Sequence, residues 1–145
     1  MGDISAIKVV ERNIEIVDPG TGDRIGVRIG LRSLDDDTMK KTKDRIQKRA
    51  NYLSRRNQDF EPDELEANAN DVAFSAMSGW EWYDPKPTNE RGEDYKPDPA
   101  TFKGEAPRFE RQTVHKVLSE LFWMRNQIMA ELNDDKAFFT SFKPI

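Results

Sequence analysis

Apolar residues recur at every second position in two short stretches near the start of the chain. Ile14 and Ile16 alternate with polar neighbours, and beyond a turn Ile25, Val27, Ile29 and Leu31 alternate with Arg24, Gly26, Arg28, Gly30 and Arg32. A period of two belongs to a strand, and it gives a hairpin over residues 6–32 one apolar face and one basic face. The intervening DPGTGD (18–23) is dense in turn formers, with glycine wherever φ must be positive.

Further on the spacing lengthens to three and four, and residues 33–80 read as two helices. Ser33 or Asp35 can cap the first, and Asp35, Asp36 and Asp37 suit the positive end of its dipole. Met39, Ile46, Ala50 and Leu53 form a narrow stripe, expected to lie against the hairpin, and the helix should fray near Asn57. In the second helix Pro62 fits the first turn, and Leu65, Ala69, Val72, Ala76 and Trp80 define the inner face. Gly79 is its expected stop.

From 81 to 109 the periodicity disappears. Pro85, Pro87, Pro97, Pro99 and Pro107 lie here among charges, with occasional rings at Trp82, Tyr83, Tyr95 and Phe102. So long a loop in a compact domain points to function or mobility, and it reads as an extended arm pinned by a few rings. Residues 110–145 return to a helical pattern through Val114, Leu118, Leu121, Ile128 and Leu132, with Arg125 interrupting the stripe. The segment ELFWM (120–124) is where this region can bend in two, and Phe138, Phe139, Phe142 and Ile145 follow the helix. At 145 residues the whole fits one domain.

Composition narrows the chemistry. There is no cysteine and a single histidine, His115, so thiolate chemistry and multi-histidine metal sites are excluded. No segment has the apolar length of a signal peptide or membrane span, which leads to the expectation of a cytoplasmic protein. Residues 1–60 hold 13 basic and 10 acidic side chains, whereas 61–145 hold 10 and 17. Such polarity favours head-to-tail contacts between copies, or a partner meeting one end only.

No catalytic constellation emerges, and no metal or cofactor site. Gly20, Gly22 and Gly26 lack the spacing and the following helix of a phosphate loop. Asp35, Asp36 and Asp37 fan over about 200° of helix surface and cannot converge on one cation. His115 has no nucleophile or orienting acid in sequence range. The first helix is different: Lys40, Lys41, Lys43, Arg45, Lys48, Arg49, Arg55 and Arg56 face only Asp44 in that interval. Centred on Lys48 and Arg49, it suits a nucleic-acid backbone, extended by Arg24, Arg28 and Arg32, or an acidic protein surface. Trp82 and Tyr83 either fold back as a plug or project towards a partner, and the terminal phenylalanines pose the same choice, leaning towards contact with another chain.

The order of short motifs resembles a known family. A hairpin ending in LRS (31–33) is followed by a charged helix, a helix ending in GW (79–80), a variable segment, WMRNQI (123–128) and a closing AFF (137–139). This resembles the small tail assembly chaperones of long-tailed bacteriophages. The resemblance implies an α+β protein: a small antiparallel sheet packed on three to four helices, without enzymatic activity. It implies binding of the tape-measure protein and help in delivering tail-tube subunits, in the host cytoplasm, with departure before the virion is complete. Many such proteins also have a frameshifted longer form. Trp82, Tyr83, Phe138, Phe139, Phe142, Lys48 and Arg49 are then the expected partner-binding residues. A nucleic-acid-binding module and a structural joint protein of the tail remain alternatives.

Overall fold

The alternating stretches pair as expected. In the computed structural model, which describes residues 12–32 and 36–141 with side chains as far as 133, β1 (Arg12–Val17) and β2 (Arg24–Leu31) form an antiparallel hairpin. Residues 6–11 of the expected hairpin lie outside the described residues, as do Ser33, Asp35 and Phe142 and the side chains of Phe138 and Phe139. Asp18 shapes the turn: its Oδ1 accepts from Gly20 N at 2.7 Å and Thr21 N at 3.2 Å. The register slips between Glu15 and Val17, opposite the positive-φ residue Gly26, so the hairpin carries a bulge there.

Helix α1 (Asp37–Ser54) is capped by Asp36, whose Oδ1 accepts from Thr38 N at 2.8 Å. The chain leaves the helix through a turn in which Asn57 takes φ 54°, close to the expected fraying point. The expected packing of α1 on the hairpin needs correction. α1 packs chiefly on α2 (Pro62–Ala76), and only Met39 of its stripe enters the main core.

α2 itself is shorter than expected. It ends at Ala76, well before Gly79, and Met77–Trp82 forms a third strand, β3, in the order β1-β2-β3. The reason is geometric. Trp80 and Trp82, two residues apart, lie about 200° apart on a helix but on one face of a strand. Pairing with β2 sets Trp80 opposite Ile29 and Trp82 opposite Val27. Trp80 is thus a strand residue and not the end of a helical face.

The C-terminal pattern breaks where ELFWM suggests. α3 (Arg111–Glu120) and α4 (Phe122–Ser141) are separated by Leu121, with ψ of 62°. Together they supply Val114, Val117, Leu118, Met124, Ile128 and Leu132 to the core, against Ile16, Val27, Ile29, Leu31, Ala73, Ala76 and Met77. Gln127 of α4 also seals the free edge of β1. Val17 N donates to its Oε1 at 3.0 Å, and its Nε2 donates to Val17 O at 2.8 Å. The chain is an α+β protein with a three-stranded sheet and four α-helices among the described residues. No described helix is long and apolar enough to cross a membrane.

Candidate functional site

Strand alternation turns Trp80 and Trp82 towards the core and Glu81 to the opposite face. The rings form a cluster: Trp80 meets Trp82 edge-on at 5.5 Å and Phe109 at 5.8 Å, and Phe109 lies 5.3 Å from Phe74. The Trp80 indole N–H donates to Pro107 O at 3.0 Å and so ties down the far end of the arm. Trp82 packs against the core and its indole N–H is buried without a hydrogen-bond partner among the described residues. Of the two alternatives for Trp82, this is the plug.

Tyr83 is also held. Its hydroxyl donates to Glu15 Oε2, and the Arg28 guanidinium lies 4.9 Å from its ring centre. Arg28 itself lies between Glu15 (2.8 Å) and Glu81 (3.0 Å) on adjacent strands. Burial pushes the Glu15 carboxyl up, but hydrogen bonds from Tyr83 and Arg28 outweigh it and the pKa falls below its ordinary value. The face expected to be basic is therefore charge-paired at Arg28, while Arg24 stays exposed without an ion pair among the described residues. Arg32 is engaged too, donating to Met77 O at 3.1 Å.

The arm is organised around one carboxylate. Asp84 accepts from Lys86 N at 2.9 Å, from Asp98 N at 2.8 Å and from the Tyr95 hydroxyl, while Arg91 donates to Asp84 O at 3.2 Å. The backbone N–H of Asp98, the Tyr95 hydroxyl and the Lys86 N–H together hold the Asp84 pKa at about 2. With only a 3₁₀ turn (Thr88–Glu90) for regular structure, residues 84–98 are folded around this acceptor. Ala100 N then donates to Tyr83 O at 3.0 Å, closing the loop beside the sheet. The arm is pinned by hydrogen bonds as much as by rings.

On α1 the basic residues divide. Arg49 is bidentate to Glu64, at 3.0 and 3.4 Å, with Tyr52 beneath it, and Arg45 binds Asp71 at 2.7 Å. Lys40, Lys41, Lys48 and Arg55 share the solvent side of the helix, all exposed and without an ion-pair partner among the described residues. Of the expected central pair, Lys48 is available and Arg49 is occupied. Among the described residues no group of three or more His, Asp or Glu side chains is placed to hold a metal ion.

No family model matches the chain, and neither a curated protein nor a solved structure does.

One cluster escapes a reading of the sequence. Asp71, buried on α2, receives Arg45 from α1 and Arg111 from α3, each at 2.7 Å, and His115 Nε2 lies 2.7 Å from its Oδ1. The His115 contact is close but not aligned as a hydrogen bond. Next to it the buried Asn70 donates to Ser119 Oγ and accepts from Arg125, both at 2.8 Å. Arg125, which interrupts the apolar stripe of the last helical region, thus has a buried partner. The available signal was the pair Asn70 and Asp71 directly before an apolar run, where α2 must turn inward.

Proposed function

We propose that this protein is a non-catalytic tail assembly chaperone that binds the tape-measure protein of a long-tailed phage and assists assembly of the tail tube. It acts in the host cytoplasm and leaves before the virion is complete. The observation that carries this reading is where the resembling motifs fall in the fold. Leu31 and Arg32 end β2 in the core and on Met77 O; Gly79 and Trp80 lie in β3; Met124, Arg125, Gln127 and Ile128 join α4 to core, Asn70 and Val17. Leu31, Met124 and Ile128 thus meet in one core, which supports the reading, whereas Gly79 and Trp80 lie in a strand where the resemblance expects a helix end. The functional reading rests on the resemblance itself.

Charged helices on the outside keep a complex with an apolar client soluble. In this reading the partner surface falls to α4, because Trp82 packs on the core and Tyr83 is held by Glu15 and Arg28 on the charged face of the sheet. That helix continues past Leu132, its last core residue among the described side chains, to Ser141, and carries Phe138 and Phe139. Co-expression with an otherwise insoluble tape-measure fragment is expected to keep the fragment in solution, and replacing Phe138 and Phe139 with serine to return it to the pellet. Equal precipitation with and without this protein would refute the reading.

A second reading, nucleic-acid binding, is favoured by the unpaired stripe of Lys40, Lys41, Lys48 and Arg55. It requires binding to DNA or RNA that weakens steeply with salt and is lost in Lys48→Glu. The absence of binding at low salt removes it.

A further inference from the structure

The helical hairpin α1–α2 has an apolar surface of its own that the main core does not use. Ile46, Ala50 and Leu53 on α1, and Leu65, Ala69 and Val72 on α2, each recur at i, i+4, i+7 and so form one stripe per helix. None of the six belongs to the main core or packs against it. Only Leu53 is buried; Ile46, Ala50, Ala69 and Val72 are half-buried and Leu65 is 54% exposed. Among the described residues no element besides α2 packs on α1 to a comparable extent. Helices of this length take most of their stability from a covered apolar face.

The charge beside this surface identifies what covers it. α1 carries six basic and two acidic side chains, and α2 carries four acidic and none basic. Within one copy, Arg45–Asp71 and Arg49–Glu64 use part of that charge and set the two helices antiparallel. Lys43, one turn before Ile46, stays exposed at the α1 edge of the stripe, and Glu61, one turn before Leu65, stays exposed at the α2 edge. A surface that is positive along one helix and negative along its neighbour is its own complement under a two-fold rotation. The rotation lays α1 of one copy on α2 of the other.

We infer that two copies of this chain pair through their α1–α2 hairpins, apolar stripe against apolar stripe, in an intermolecular four-helix arrangement. The contact is isologous and closes on itself. It therefore differs from the head-to-tail association that the uneven charge along the sequence suggests, which would continue into chains of copies. It leaves α4 free and does not depend on the identity of any client.

Light scattering on size-exclusion fractions of the isolated protein over a wide concentration range tests this. The wild type is expected to form a dimer that goes no further. Leu65→Glu, at a position too exposed to matter for folding, should raise the dissociation constant by about tenfold or more, because the change enters a two-fold interface twice. Lys43→Glu and Glu61→Lys should each weaken the dimer, and mixing the two should restore it. A monomer at every concentration overturns the proposal, and so does a dimer indifferent to Leu65→Glu or a mixture that fails to pair. A monomeric wild type that binds an apolar helical peptide through Leu65 assigns the surface to a client instead. Because no client is present in the dimer measurement, its failure leaves the chaperone reading standing.

Discussion

Gly26→Ala is expected to lower stability by about 3 kcal/mol and to release the arm. Gly26 has φ of 94°, which costs an L-residue about 1–2 kcal/mol. The larger effect is steric. A Cβ at this position would lie 2.2 Å from Tyr83 O and 3.0 Å from both the Ala100 Cβ and the Pro85 Cδ. These atoms flank the loop folded around Asp84, where Tyr83 N donates to Gly26 O at 2.8 Å and Ala100 N donates to Tyr83 O at 3.0 Å. Moving Tyr83 out of the way therefore breaks both bonds, each worth about 1 kcal/mol. For a chain of this size the melting temperature should fall by roughly 10 °C. Limited proteolysis should cut first within residues 84–99. Gly22→Ala is the control, because Gly22 also has positive φ, 79°, but nothing within 4 Å of a Cβ. Equal melting temperatures for the two variants would show that the arm does not dock at Gly26.

That docking explains which parts of the molecule the sequence discloses. The hairpin was legible because Ile25 to Leu31 keep a strict period of two and the turn is rich in glycine and aspartate. The break between α3 and α4 was legible because ELFWM places bulky residues with no consistent helical phase. β3 was not, because Met77 and Ala76 continue the α2 stripe without interruption and the strand needs the edge of β2 to exist at all. The helix passes into the strand at Met77, which already has ψ of 133°, with no intervening loop to announce it. The arm was legible as a loop but its order was not, since Asp84 meets Tyr95 and Asp98 only once the chain has turned.

The same limit applies to the candidate site. Exposed charge could be read directly, and Lys48 is where the pattern puts it. Pairing across elements could not, so Arg49, Arg28 and Tyr83, each suited on paper to a partner, turn out to be held by Glu64, Glu15 and Glu81 from other elements. Rings beside irregular backbone carry the same ambiguity. Trp82 resolves inward because Val27 and Trp80 offer it a strand face.

Asp71→Ala should cost about 2 kcal/mol near neutral pH, and the loss should shrink in acid. The carboxylate joins three helices, taking Arg45 from α1 and Arg111 and His115 from α3. Its own side chain is 9% exposed, whereas those of Arg45 and Arg111 are 57% and 62% exposed. Truncation therefore leaves two guanidinium groups that water can still solvate, and the effect stays below the 3–5 kcal/mol or so of a fully buried broken pair. What is lost is the set of charge-assisted hydrogen bonds, about 2 kcal/mol in all. Burial pushes the Asp71 carboxyl up, but the hydrogen bond and charge of Arg111, with His115, outweigh it and hold the pKa below its ordinary 3.8. A folded-state pKa below the unfolded one means the contribution is complete above the unfolded value and disappears as pH falls through the folded value. Wild type and variant should therefore differ fully in urea midpoint above pH 5 or so, begin to converge as pH falls past the unfolded value of 3.8, and meet only below the lower folded-state value. A difference that stays constant from neutral pH into strong acid would mean that the Asp71 charge does not hold α1, α2 and α3 together.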